Sequence, residues 1–473
     1  MGTIASSGST IVTAKTGRFR RRIAMGVVGL VLLLIGGGVG VGLLLTGGGE
    51  GDGTEAVAVP DAELPDLGEA APVLASLGTD APVPDPTVLS SQLTPLLTAA
   101  GLGTGVSAEV VDVATGEVLL DLDAGDPAVP ASTAKLLTAA AALLSLDPAE
   151  TLTTTVVAGS TPGEVVLVGG GDPTLSRTSP SQTYPGAATV ADLATQVVAA
   201  MPAGTPVSRI VVDSSLFGGA LTAPGWGSGD APSTYAAPVT ATAVDGARVS
   251  PGSQARSGQP GIDAGSALAE ALGVPRATVV LGEAPAGAET LATVESAPVA
   301  RLVEQMLSMS DNMLAEALAR HVAIANDLPA TFEGGAQAVT EVLADAGIDV
   351  TGASLADGSG LSQSNRVPAG VLTDVVTSAA DGSLDDVSAL LSGLPVAGYD
   401  GTLLDRGDAG AAPGTVRAKT GTLLGVHALA GTVVTTDGRL LSFAVVADGS
   451  GSELAAESAL DAVAAALAGC GCR

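Results

Sequence analysis

The chain is 473 residues long, 46% hydrophobic and only 2% aromatic, so two or three domains must share cores built from Ala, Val and Leu. It carries 49 acidic against 19 basic residues, a formal net charge of −30. A surface this acidic repels phosphate backbones and argues against nucleic acid as a partner.

Lys15, Arg18, Arg20, Arg21 and Arg22 precede Ile23 to Leu45, an unbroken run without charge, and Glu50, Asp52 and Glu55 follow it. About 20 apolar residues span a bilayer as a helix, and the basic flank stays in the cytoplasm. The expectation is a cytoplasmic basic tail over residues 1–22, a single transmembrane anchor over 23–45 and everything beyond on the outer side of the cell membrane. A cleaved signal peptide is the rival reading, but its apolar stretch is usually about 7–15 residues. Residues 46–86 are rich in Gly, Ala, Pro, Asp and Glu and hold no basic residue, which predicts an extended acidic linker.

Leu89, Leu93, Leu96 and Leu97 then predict a helix over Thr87 to Ala100. Val106 to Val113 and Glu117 to Leu122 predict a hairpin turning at Thr115-Gly116. Ser132 to Leu146 is an Ala/Leu helix started by Pro130 and a Ser/Thr pair. β-type runs such as Thr153 to Val157, Glu164 to Val168 and Arg209 to Val212 lie among many turn residues. They predict a largely inserted domain of mixed, mostly β character over residues 147–296. Helical runs from Ala297 to Leu307 and from Met313 to Val322 bracket Ser310-Asp311-Asn312. At the far end, a strand over Gly414 to Thr420 is followed by Ala428 to Thr435 and Leu440 to Ala447, with the hairpin signal Asp437-Gly438 between the last two. Ser452 to Ala468 is a closing helix. One antiparallel sheet assembled from both ends, residues 87–146 and 297–473, requires the two pieces to associate across the middle.

Only three lysines occur, Lys15, Lys135 and Lys419, and two of them sit in telling contexts. Lys135 closes Ser132-Thr133-Ala134-Lys135. Lys419 opens Lys419-Thr420-Gly421-Thr422. Ser310-Asp311-Asn312 lies between them. Residues i and i+3 of a helix share a face, so Lys135 lies beside the Ser132 hydroxyl. A serine needs a base before it attacks, and a lysine serves if burial and a positive neighbour lower its pKa. Ser310 is placed to relay a proton, and Asn312 to hold a substrate amide. Lys419 and Thr420 suit a substrate carboxylate, and Gly421 leaves room for close approach of a substrate to the strand. The backbone N–H groups of Ser132 and Thr422 suit an oxyanion hole. Each triplet alone has an ordinary reading, as a helix cap or an exposed strand lysine. The order of the three together is what points to an acyl-serine enzyme. The two histidines, His321 and His427, and the two cysteines, Cys470 and Cys472, show no metal-ligand spacing, so no cofactor is implied.

The sequence resembles the class C low-molecular-mass penicillin-binding proteins, D-alanyl-D-alanine carboxypeptidases with an insertion between the first two motifs. The resemblance rests on Ala131 to Lys135, Met309 to Glu316, Asp357-Gly358-Ser359-Gly360-Leu361-Ser362 and Lys419 to Thr422, with Gly169-Gly170-Gly171-Asp172-Pro173-Thr174-Leu175 also similar. It implies an α+β fold, a penicillin-binding or serine β-lactamase-like transpeptidase domain with an antiparallel sheet flanked by helices. It also implies removal of the terminal D-Ala from peptidoglycan stem peptides, or cleavage of their cross-links, and covalent inhibition by β-lactams. A β-lactamase and a penicillin-sensing domain that does not turn over are the alternatives. No Gly-x-Ser-x-Gly elbow occurs, which disfavours a Ser-His-Asp hydrolase.

Overall fold

The structure, a computed structural model, describes residues 80–202, 204–384, 387–406 and 413–471. The expected tail, the expected anchor and most of the expected linker lie outside the described residues. Among the described residues no helix is long and apolar enough to cross a membrane.

In chain order the elements are α1 (Pro86–Leu97), β1 (Gly105–Asp112), β2 (Val118–Leu122), α2 (Lys135–Ser145), β3 (Thr153–Ala158), β4 (Glu164–Val168), α3 (Val190–Ala200), β5 (Arg209–Asp213), α4 (Pro260–Ala271), β6 (Thr278–Leu281) and β7 (Thr290–Glu295). They continue with α5 (Val299–Met309), α6 (Asn312–Ala325), α7 (Phe332–Asp345), α8 (Ala369–Asp381), α9 (Ala389–Gly393), β8 (Val416–Leu423), β9 (Val426–Val434), β10 (Leu440–Asp448) and α10 (Glu453–Ala468). The helix expected from Ser132 divides in two: a 3₁₀ turn, Ala131–Ala134, leads into α2.

The strands form two sheets. The first runs β2-β1-β10-β9-β8 and is antiparallel throughout. β1 lies along β10 from Gly105↔Asp448 to Asp112↔Leu441, so the two ends of the chain meet at the centre of this sheet. Arg439 ties the join, donating from Nη2 to Asp112 Oδ1 at 2.7 Å. Both faces are covered, which is why β9 and β10 read as nearly continuous apolar runs. Ala428, Ala430, Ala444 and Val446 lie in one core cluster with residues of α2 and α8, and α8 packs directly on β9 and β10. Leu429, Val433, Phe443 and Val445 face α1 and α10. The small residues are concentrated on the side approached by α8 and by the 3₁₀ turn Ala131–Ala134.

The second sheet runs β6-β5-β4-β3-β7. The expectation of an insertion of mixed, mostly β character is refined here by two helices. β4, β5 and β6 are parallel, and parallel neighbours need long crossovers, usually helices. α3 supplies the first crossover and α4 the second. They cover one face through Val190, Leu193, Val197, Ala264 and Leu268 against Val165, Leu167, Ile210 and Val212. The segment between β5 and α4 crosses to the first sheet's helices, where Trp226 stacks edge-on against Phe332 at 5.4 Å between centroids.

Candidate active site

The site is built where the start of α2, the start of α6 and the edge strand β8 converge. Ser132 sits in the 3₁₀ turn, and the Lys135 N–H closes that turn onto Ser132 O. In a 3₁₀ turn residues i and i+3 eclipse, so the lysine stands directly over the serine. Lys135 Nζ donates to Ser132 Oγ at 3.0 Å, to Asn312 Oδ1 at 2.6 Å and to Ser359 O at 2.6 Å. The side chain is buried. Loss of water pushes its pKa down from the usual lysine range to about 8, against the pull of the Asp357, Glu316 and Asp311 carboxylates, and Arg256 pushes the same way as burial.

Ser310, Asp311 and Asn312 occupy a two-helix junction in which each has a different backbone duty. Ser310 ends α5 in the left-handed region, φ 53° and ψ 40°. Glycine or asparagine is the usual choice there, and any other residue is strained by about 1 kcal/mol or more. Asp311 caps α6, accepting from Met313 N at 2.8 Å and Leu314 N at 3.3 Å. Asn312 is the first residue of α6, so its side chain leaves the helix where it can reach Lys135, and its Nδ2 donates to Tyr235 O at 3.2 Å. No hydrogen bond joins Ser310 Oγ to Lys135 or Ser132 among the described residues; the lysine's partners are Ser132, Asn312 and Ser359.

Lys419 lies mid-strand in β8 and is completely buried, not exposed at a strand end. Its Nζ donates to Thr420 O at 2.8 Å. Burial first, and then the Lys135 charge, hold its pKa well below the usual lysine range. Thr420 Oγ1 pairs with Thr402 Oγ1 at 2.8 Å. The outer edge of β8 is partly covered, since Ala418 N donates to Pro395 O and Val416 O accepts from Ala397 N. Backbone groups repeat every two residues along a strand. Thr420 and Thr422 therefore turn their N–H and C=O to the same outer edge, beyond the cover.

Gly421 has a different role from the one its position suggested. A Cβ there would meet Pro130 O at 2.8 Å and Ala131 Cβ at 3.2 Å. The space is taken by the turn that carries Ser132, not left for a substrate. Gly360, at φ +79°, presses on the same turn from the other side, where a Cβ would meet Ala131 O at 1.9 Å. Ala131 itself is held at φ 48°, a conformation that costs about 1–3 kcal/mol in a non-glycine residue.

Several contributors were not named as site residues from the sequence. Glu316 Oε1 accepts from Ser359 N at 2.9 Å, and so holds the residue whose carbonyl accepts from Lys135. Burial and then Asp357 raise the Glu316 carboxyl to about 7, against Arg320. Arg320 donates to Glu316 Oε2 at 3.2 Å and lies 4.0 Å above the Phe332 ring. Asp357 accepts from Trp226 Nε1 at 2.7 Å, Ser362 N at 2.7 Å, Gly360 N at 2.8 Å and Asn365 Nδ2 at 2.7 Å, which folds the Asp357 to Ser362 loop around the lysine. A signal was available: Asn312, Glu316 and Arg320 recur at i, i+4 and i+8 in an α6 that is apolar elsewhere except at His321, a polar stripe on a buried helix.

The pattern of the D-Ala-D-Ala carboxypeptidase 3 (S13) family matches residues 89–261 and 251–469. A carboxypeptidase DacB of Mycolicibacterium smegmatis is 42% identical over 428 residues, covering 88% of this chain and 91% of that one. A D-alanyl-D-alanine carboxypeptidase of an Actinomadura species is 31% identical over 446 residues, covering 76% of this chain and 80% of that one. The crystal structure of penicillin binding protein 4 from Haemophilus influenzae shares the fold, with a TM-score of 0.64 at 23% identity over 80% of this chain and 98% of that one. The two-part family match and the depth of these likenesses place the chain in the D-Ala-D-Ala carboxypeptidase 3 (S13) family.

Proposed function

We propose that the protein is a serine-type D-Ala-D-Ala carboxypeptidase that trims peptidoglycan stem peptides through an acyl-serine intermediate and is acylated by β-lactams. The observation that carries this reading is the buried Lys135 amine 3.0 Å from Ser132 Oγ, with its pKa lowered to about 8. Ser132 Oγ attacks the carbonyl of the penultimate D-Ala while Lys135 takes the hydroxyl proton. The C–N bond breaks, the departing D-Ala amine receives a proton by way of Ser310, and water then hydrolyses the ester. The N–H groups of Ser132 and Thr422 stabilise the oxyanion. Asn312 orients Lys135 and the substrate amide. Lys419 attracts the terminal carboxylate, with Thr420 donating to it. An arriving carboxylate also supplies the counter-charge that restores the Lys419 ammonium.

The same reading places residues 147–296 as an insertion in a catalytic region made of 87–146 and 297–473. It places residues 23–45 as a single anchor that leaves the catalytic part on the cell-wall side of the membrane. The deciding experiment incubates the full chain with a D-Ala-D-Ala peptide and, separately, with penicillin. The expected result is steady D-Ala release and a stable penicilloyl adduct on the peptide carrying Ser132. Rapid penicilloate release without D-Ala release would make it a β-lactamase. An adduct without either release would make it a penicillin sensor. Protease added outside intact cells should cut the chain beyond residue 45; protection from it would refute the placement of the anchor.

A further inference from the structure

Three side chains from the segment between β4 and α4 converge on the middle residue of the Ser310-Asp311-Asn312 junction. Tyr184 donates its hydroxyl to Asp311 Oδ2 at 2.7 Å. Arg256 Nη2 stands 3.6 Å from Asp311 Oδ1, and Arg248 Nη2 stands 3.7 Å from Oδ2. Arg248 Nη1 also donates to the Tyr184 hydroxyl at 3.0 Å, and Arg256 donates to Gly246 O. Asp311, Tyr184 and Arg256 are all buried. The same segment meets the junction again where Tyr235 O accepts from Asn312 Nδ2.

We propose that Arg256, supported by Arg248 and Tyr184, is a positioning residue: it holds the Asp311 cap in place, and through it the hold of Asn312 on Lys135. This rests on the assignment of Lys135 as the base. A carboxylate buried this deeply is costly unless it is paired. The oxygen that caps α6, Oδ1, is also the one that faces Arg256, so the cap and this ion pair are one structure. Burial alone would raise the Asp311 pKa, but Arg256, Arg248 and the Tyr184 hydroxyl hold it down at about 2. Loss of Arg256 frees the cap to turn, and Asn312, the next residue, loses its fixed distance from Lys135. The charge balance moves as well. Lys135 is faced by the carboxylates of Asp357, Glu316 and Asp311 and by the cations Arg256 and Lys419. Removing a cation lets the lysine keep its proton to higher pH.

The test uses the full chain as Arg256→Met, Arg256→Lys and Tyr184→Phe. Acylation by a fluorescent penicillin is followed from about pH 5 to pH 10, alongside thermal unfolding. Arg256→Met should move the acid limb up by about one pH unit and slow acylation at neutral pH about tenfold. Arg256→Lys should return the limb to the wild-type position. A folded Arg256→Met protein with a lower Tm but an unmoved limb would show a merely structural residue and overturn the proposal. Should Arg256→Met fail to fold, Tyr184→Phe decides. It leaves every charge in place, so the acid limb should stay fixed while the plateau rate falls about tenfold; an unchanged plateau would overturn the proposal. Lys135→Ala is run beside them. Normal acylation in that variant refutes the base assignment itself, whereas a dead Lys135→Ala with a normal Arg256→Met profile refutes only the positioning role.

Discussion

The two sheets of this protein bury opposite kinds of material. Around the first, Lys135, Asp311, Glu316, Arg320, Asp357 and Lys419 all lie in the interior. Among the strands and helices of the second, from β3 to β7 with α3 and α4, Asp213 at the end of β5 is the only buried charged residue. Burying a charge is costly unless partners surround it. The first sheet meets that cost with the interlocked contacts of Glu316, Asp357 and Asp311, and obtains in return a lysine with a lowered pKa. The second sheet carries this cost only at Asp213, which accepts from Ser215 N and Ala284 N, and its Val, Leu, Ile and Ala contacts with α3 and α4 go to stability. The difference separates residues proposed to set the chemistry from residues that pack the fold, and it can be tested from both sides.

The sharpest break should come from Lys135→Ala. Loss of a general base slows a reaction by about 10²–10⁴-fold, and acylation should fall within that range while thermal unfolding remains cooperative. In the wild type, acylation should decline as pH falls through about 8, because the protonated amine cannot accept the Ser132 proton. A rate that is flat between pH 6 and pH 9, both roughly one or two units from that value, would refute the assignment.

Lys419→Ala should be smaller and selective. Capture of a D-Ala-D-Ala peptide should drop by about tenfold or more, the scale of a charged hydrogen bond, and capture of its C-terminal amide far less. Equal fractional losses would show that Lys419 does not recognise the carboxylate.

Leu167→Ala, in the core of the second sheet, tests the other side. It should destabilise the protein by about 2–5 kcal/mol, while acylation by the molecules that remain folded changes less than about twofold. A large loss of acylation at full folding would mean that the second sheet is part of the chemistry.

Glu316→Gln gives the finest measure. The Glu316 carboxyl is raised to about 7 in the folded protein from the ordinary glutamate value of 4.5. The folded state therefore holds this proton more tightly than the unfolded chain. Its contribution is full below about pH 4.5 and is lost as pH rises through about 7. Denaturant unfolding at pH 5 and pH 8, on either side of about 7, should show a smaller decline for Glu316→Gln than for the wild type. Parallel declines would mean that Glu316 does not titrate in this window.

Much of the first sheet was legible in the sequence because its signals are local. Asp437-Gly438 fixed the β9–β10 hairpin, and the run after Ser452 gave α10. The three motifs were legible because a chain with three lysines leaves few accidental matches. What escaped has a common cause. Asp357 acts near Lys135 across the fold, through the loop that carries Ser359, so no spacing along the chain announces it, while Glu316 and Arg320 left only the polar stripe of α6 as a sign. Asp311 could be read as a cap, but its partners Tyr184, Arg248 and Arg256 come from a segment with no fixed spacing to it. α3 and α4 were overlooked because Ala-rich helices between short Val-rich strands are hard to tell from turns until the parallel order of β4, β5 and β6 demands a crossover. Gly421 was assigned to substrate access, and only the fold shows Pro130 and Ala131 against it.

The pairing of β1 with β10 also governs how the protein comes into being. Between 329 (441 − 112) and 343 (448 − 105) positions separate the partners, and synthesis at about 5–20 residues per second leaves the β1–β2 hairpin without its neighbour for tens of seconds. The second sheet is drawn from one continuous stretch, residues 153–295, and its strands are all available long before β10 exists. A nascent chain thus holds one sheet that can be completed early and two apolar strands, Val106 to Val111 and Leu119 to Leu120, that cannot be covered until the last helix is nearly made. Non-local pairing of this kind is slow and open to aggregation, so yield in a foreign host should be limited by what shields those two strands, and loss of the final 35 or so residues should leave no folded catalytic sheet at all.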